Sequence, residues 1–124
     1  MAAPNIINSS AIYGKTVTAD LTTTSATSVL SNAASSGLVL KVNTLVVSNV
    51  DGNSPYDITI NYYSAAALGG TATQIASTIS VPADATLVVI DKTTCIYLEE
   101  NRSIGAITSS ASKLKVVCSY EEIS

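Results

Sequence analysis

Histidine, tryptophan and phenylalanine are absent from this chain, and its one methionine is the first residue. Without histidine the commonest general base and metal-binding imidazole are gone, which removes most routes to nucleophilic hydrolysis and to nitrogen-ligated metal sites. Without tryptophan and phenylalanine, any aromatic platform must be built from the six tyrosines. Charge is also scarce: Asp, Glu, Lys and Arg make up 12% of the 124 residues, against about 25% in ordinary soluble domains. Long apolar runs are missing too. No stretch approaches the roughly 18 residues of a membrane-spanning helix, and Met1-Ala2-Ala3-Pro4-Asn5 has neither the basic nor the apolar region of a signal peptide. Synthesis in the cytoplasm and no membrane partner are the expectation. Two cysteines, Cys95 and Cys118, are too few for a disulfide scaffold. They pair only if their strands are neighbours in suitable geometry, and buried free thiols are the default.

What is present is Val, Ile, Thr, Ser and Ala, arranged with the period of strands. Residues 1–13 read as an N-terminal arm, because Pro4, Asn5, Asn8, Ser9 and Ser10 break up Ile6, Ile7 and Ile12 before any period is established. Such an arm either straps its own domain or docks on a neighbouring subunit, and Ile6, Ile7, Ile12 and Tyr13 are its candidate contacts.

Alternation starts at Gly14, with Val17, Ala19 and Leu21 on one face and Thr16, Thr18 and Asp20 on the other. A short run over Thr27–Leu30 follows, then the strongest strand, Leu38–Val50, apolar on both faces and therefore central. Asp51-Gly52-Asn53-Ser54-Pro55 is a dense turn signal. Further strands are expected around Asp57–Tyr63, Gln74–Val81, Thr86–Asp91, Cys95–Leu98, Arg102–Thr108 and Leu114–Tyr120. Between the first two of these, residues 65–73 read as a loop with room for one helical turn at Ala65-Ala66-Ala67-Leu68. About eight short strands, punctuated by turns and without a long amphipathic helix, specify an all-β chain. One antiparallel β-sandwich over residues 14–124, immunoglobulin-like or jelly-roll-like, is expected.

The chemistry-bearing candidates are few. The net charge is −3, and Lys15, Lys41, Lys92, Arg102, Lys113 and Lys115 are scattered, so no basic patch for nucleic acid forms; Lys113 and Lys115 share one strand face at most. Glu99-Glu100 and Glu121-Glu122 do not make acid–base pairs, because adjacent strand residues point to opposite faces. Asp51, Asn53 and Asp57 surround one loop with oxygen ligands suited to calcium, but the distal Glu of a full calcium loop is missing. No catalytic residue, cofactor site or metal site is assigned. Tyr62 and Tyr63 must face opposite sides of their strand, one packing inward and the other left for an interface or a sugar. A glycan surface at Tyr56, Asp57, Asn61 and Tyr63 is the corresponding candidate.

Three segments carry a resemblance. Ser77-Thr78-Ile79-Ser80-Val81-Pro82-Ala83-Asp84-Ala85-Thr86-Leu87-Val88-Val89-Ile90, Ile96-Tyr97-Leu98-Glu99-Glu100 and Val116-Val117-Cys118-Ser119-Tyr120-Glu121-Glu122-Ile123 resemble small virion structural proteins of tailed bacteriophages, particularly those of cyanobacterial and marine hosts. Lys15–Thr23 and Lys41–Val50 fit the same picture. In those proteins the turn after Tyr-Leu-Glu continues with Gly and Asp, whereas here it reads Glu100-Asn101-Arg102-Ser103. The resemblance implies a non-enzymatic β-sandwich located in the virion. It implies a capsid decoration or cement protein whose partners are the major capsid protein or other virion subunits, with a homo-oligomer such as a trimer on a local threefold axis. A neck, tail or fibre component, binding host glycan through the tyrosine-bearing strand, is the alternative.

Overall fold

A computed structural model describes residues 4–124 of the chain. Nine strands follow one another: β1 (Ile12–Asp20), β2 (Thr27–Asn32), β3 (Val39–Asn49), β4 (Tyr56–Ala65), β5 (Gly69–Val81), β6 (Thr86–Ile90), β7 (Ile96–Leu98), β8 (Arg102–Thr108) and β9 (Leu114–Ile123). Among the described residues a 3-10 turn at Lys92–Thr94, capped by the Asp91 side chain, is the one helical element between them. Among the described residues no helix is long and apolar enough to cross a membrane.

Two antiparallel sheets form a sandwich. One runs β1-β9-β3-β6, with β7 also on β3, and the other runs β2-β8-β4-β5. The chain changes sheet at almost every connection, the exceptions being the β4–β5 hairpin and the step from β6 to β7. That alternation is the jelly-roll arrangement of two Greek keys, and it decides between the two sandwich types expected from the sequence. β6 and β7 pair with successive stretches of β3, Leu45–Ser48 and Leu40–Val42, so they act as one edge broken by the 3-10 turn.

The core lies between the sheets. Val42, Leu45 and Val47 of β3, Ile58 and Ile60 of β4, Ile104 and Ala106 of β8, and Leu114, Val116 and Cys118 of β9 are buried together. β3 holds the centre because its alternate residues Leu40, Val42, Leu45, Val47 and Asn49 face inward, with the phase restored by a bulge between Val42 and Thr44. Buried asparagines close the sandwich ends. Asn32 Nδ2 donates to the Leu38 and Leu98 carbonyls at 2.9 and 3.0 Å, and Asn49 Nδ2 donates to the Ser54 and Val81 carbonyls, both at 3.0 Å. Each satisfies backbone acceptors that a loop crossing the core end would otherwise leave bare.

Two local expectations change. β1 starts at Ile12, so Ile12 and Tyr13 belong to a strand rather than to the arm. Residues 65–73 are not an open loop with a helical turn: β4 runs to Ala65, β5 begins at Gly69, and Ala67 and Leu68 between them have φ of 55° and 62°. Two successive left-handed residues make a tight hairpin turn whose twist matches the strands, a geometry more often supplied by Asn-Gly.

Candidate assembly surfaces

The N-terminal segment and the start of β1 carry four of the ten exposed large apolar side chains of the described residues. Asn5 folds residues 5–8 into a turn, its Oδ1 accepting from the Ile7 amide at 3.0 Å and its carbonyl from the Asn8 amide at 3.1 Å. The arm is then fastened to the C-terminus: the Ser10 amide donates to the Ser124 carbonyl at 2.6 Å and the Ser124 amide to the Ala11 carbonyl at 2.9 Å. From there Ile12 pairs with Ile123 and the β1–β9 ladder runs without a break to Asp20 and Lys115. Ile6 and Ile7 are 48% and 88% exposed, and Ile12 and Tyr13 are 55% and 58% exposed. The structure therefore keeps all four candidate contact residues on the surface, two on the arm and two at the start of β1. The first three residues of the expected arm lie outside the described residues.

Charged groups are neutralised locally, near the arm and away from it. Lys15 Nζ contacts Glu122 Oε2 at 2.9 Å, and this hydrogen bond and its charge raise the lysine above its ordinary pKa. Lys115 meets Asp20 at 2.9 Å, Lys113 meets Asp51 at 3.4 Å and Lys41 meets Glu121 at 3.8 Å. Arg102 donates instead to the Ser64 and Asn101 carbonyls. Four of the six basic residues thus sit in separate ion pairs. The second acidic doublet is likewise divided, Glu121 engaging Lys41 and Glu122 engaging Lys15.

The loop considered for calcium is filled by the protein's own donors. Asp51 Oδ1 accepts from the Asn53 amide at 2.9 Å, and Oδ2 accepts from the Tyr56 hydroxyl at 2.8 Å and faces Lys113. The Tyr56 hydroxyl is the main reason that Asp51 is held below the ordinary carboxylate pKa, and the carboxylate in turn raises Tyr56. Asp57 stands apart at the start of β4, where its backbone is bonded to Ser109. Among the described residues no three His, Cys, Asp or Glu side chains are grouped to hold a metal, and no pocket is present.

The four candidate glycan residues do not form one open platform. Tyr56 packs against the core and binds Asp51. Asn61 and Tyr63 face the outside of their sheet, yet they are only 6% and 7% exposed. Tyr62 turns inward, as alternation requires. The outward Tyr63 is buried because the β4–β5 turn folds back over the sheet. Consecutive amides of Ala66, Ala67 and Leu68 donate to Asn101 Oδ1, Ser31 Oγ and Ser103 Oγ at 3.0, 3.0 and 2.9 Å. Beneath them a Cβ on Gly105 would lie 2.6 Å from Leu68 Cδ2 and 3.0 Å from a Tyr63 ring carbon. Alternation in the sequence could not reveal this cover, since its donors and acceptors come from three distant elements.

Both cysteines are free, Cys118 enclosed in β9 and Cys95 partly exposed after the 3-10 turn. Cys95 closes the 3-10 turn just before β7, and β7 is not paired with β9, which carries Cys118.

No family model and no curated protein matches the chain. Among solved structures it is similar to a chain from Bacillus endospore appendages, described as a novel family of disulfide-linked pili. That likeness covers 91% of this chain and 88% of the other, at a TM-score of 0.52 and 17% identity. At this identity the likeness is one of fold, a small β-sandwich protein.

Proposed function

We propose that this chain is a non-enzymatic structural subunit of a larger protein assembly. Within that class it is a decoration or cement protein that binds the major capsid protein, or other virion subunits, at the junctions of a shell. The observation that carries this reading is the exposure of Ile6 and Ile7 on an arm fastened beside the C-terminus, and of Ile12 and Tyr13 at the start of β1, on a charge-poor sandwich with no pocket among its described residues. Exposed apolar side chains on an arm held at the edge of the domain suit a partner met over a junction, where several weak contacts add through effective concentration. Quantitative mass spectrometry of purified particles tests it. A copy number comparable to that of the shell subunit supports decoration, a few copies move the chain to the neck or tail, and absence from particles overturns the virion reading. Ile6→Ser with Ile7→Ser is expected to reduce shell binding at least tenfold while leaving the fold intact.

A second reading, a subunit of a self-polymerising appendage, is favoured by the sandwich likeness over nearly the whole chain. It predicts filaments from the purified chain alone under electron microscopy. Any covalent linkage between subunits would then use Cys95, because Cys118 is enclosed. The glycan reading is not adopted, since Asn61 and Tyr63 are covered.

A further inference from the structure

β5 is the longest strand and the last in its sheet, so its side away from β4 is a free edge. Ten of its thirteen residues are exposed, Ile75 and Ile79 among them at 38% and 41%. No Asp, Glu, Lys or Arg lies between Asp57 and Asp84, and Pro82 comes only after the strand has ended. Residues 71–81 are therefore a run of eleven neutral residues without glycine or proline, rich in Thr and Ile, which is the composition of a segment prone to pair with its own copies. Charge, proline, short length and a covering element are the usual guards of such an edge, and β5 has none of them. What it has is bulges. Its ladder to β4 slips three times: Thr59 faces both Ser77 and Thr78, Ile75 is extra between Gln74 and Ala76, and a third extra residue falls between Gly69 and Ala72. One register holds over residues 79–81 and 72–74, three residues each, and nowhere longer. The first bulge is also locked. Thr78 has a φ of 45°, a region that β-branched residues avoid, and its amide donates to Thr59 Oγ1 at 3.0 Å.

We infer that these bulges, with Thr78 held by the Thr59 hydroxyl, are the device that keeps the β5 edge from adding a strand of a second copy. An incoming strand needs N–H and C=O groups at the regular spacing of a ladder over several residues. On β5 that spacing breaks after three residues at most, so an arriving strand forms a pair or two and then loses register. Each extra residue also shifts the side-chain alternation of the residues beyond it, and a regular partner cannot keep its own alternate side chains on one face along such an edge. Thr59 fixes the arrangement from inside the sheet. Its hydroxyl gives the Thr78 amide an acceptor, so the strained residue is held in place rather than relaxing into regular strand. The inference goes beyond the structural-subunit reading, because it concerns a contact that the chain avoids: whatever assembly the chain enters, strand addition at β5 is not its joint.

Deleting Ile75 and Thr78 from the full chain removes two of the extra residues and leaves eight residues of β5 opposite Tyr56 to Tyr63 in one register. At about 100 µM, within the range where exposed strand edges associate, this chain is expected to scatter light about tenfold more than the wild type, and adding Gln74→Lys to it should restore the wild-type level. A far-ultraviolet thermal transition reports whether the deletion chain is folded. The complementary test leaves the backbone untouched. Gln74→Lys with Ser77→Lys in the wild type, both at exposed positions, should change neither the association state nor the rate of aggregation, because the edge they guard is already shut. A lysine pair that lowers association of the wild type overturns the inference, and so does a folded deletion chain that scatters no more than the wild type. Where the deletion chain does not fold, the lysine pair alone supports or overturns it.

Discussion

Cys118 and Cys95 show how one residue type acquires two chemistries from its surroundings. Cys118 faces the core of β9, opposite Val17 and Leu45, and burial pushes its thiol up to about 11 from 9.0. A raised pKa of this kind means that the folded state favours the neutral thiol. The corresponding stability is complete below pH 9 and is lost as the pH climbs towards about 11, a change on the order of 2 to 3 kcal/mol. Cys118→Ala should flatten that part of a urea-midpoint profile, apart from any constant cost of the substitution. With a thiol reagent at pH 8, Cys95 should react promptly and Cys118 only after denaturant is added; equal rates would contradict the burial. Asp51 behaves in the opposite sense. Its lowered pKa contributes stability above the ordinary carboxylate range and loses it as acid protonates the group.

At the scale of elements, the β4–β5 turn illustrates how tertiary contacts settle a segment that propensity leaves open. Ala-Ala-Ala-Leu favours a helical turn locally, yet Ala67 and Leu68 take left-handed φ values because three amides find side-chain acceptors and Leu68 lands on Gly105. A left-handed non-glycine residue costs roughly 1 to 2 kcal/mol, so the anchoring must offset that strain. The contact dictates a specific result. Gly105→Ala should lower stability by about 1 to 3 kcal/mol through overpacking, and Leu68→Ala should relieve much of that loss in a double-mutant cycle. Additive losses would show that Leu68 does not sit on Gly105.

For the whole molecule, the first and last strands are partners, Ile12 lying opposite Ile123, and every sheet mixes distant parts of the chain. Such a topology must close long loops before its contacts are rewarded, which places refolding on the millisecond-to-second scale rather than the microsecond scale of helical bundles. It also ties both sheets to one core. Leu45→Ala, at a fully buried position between Ile90 and Cys118, should cost about 2 to 5 kcal/mol. Far-ultraviolet dichroism and tyrosine fluorescence should then fall in a single coincident transition, and separate transitions would mean that the sheets unfold independently.

Much of this architecture was legible in the amino-acid order. Alternation at Val17, Ala19 and Leu21 marked β1, the doubly apolar Leu38–Val50 stretch marked the central β3, and Asp51-Gly52-Asn53-Ser54-Pro55 marked the turn into β4, because side-chain period and turn chemistry are local properties. The exposure of Ile6, Ile7, Ile12 and Tyr13 was also legible, because no period there buries them. Tertiary structure alone decided which strands are neighbours, that the sandwich is a jelly roll, that outward-facing Asn61 is buried and Tyr63 lies under a folded-back turn, and that the β1 ladder runs unbroken. These facts depend on hydrogen bonds and packing between residues tens of positions apart. Alternation gives the face on which a side chain stands, and only the assembled sheets determine what covers that face.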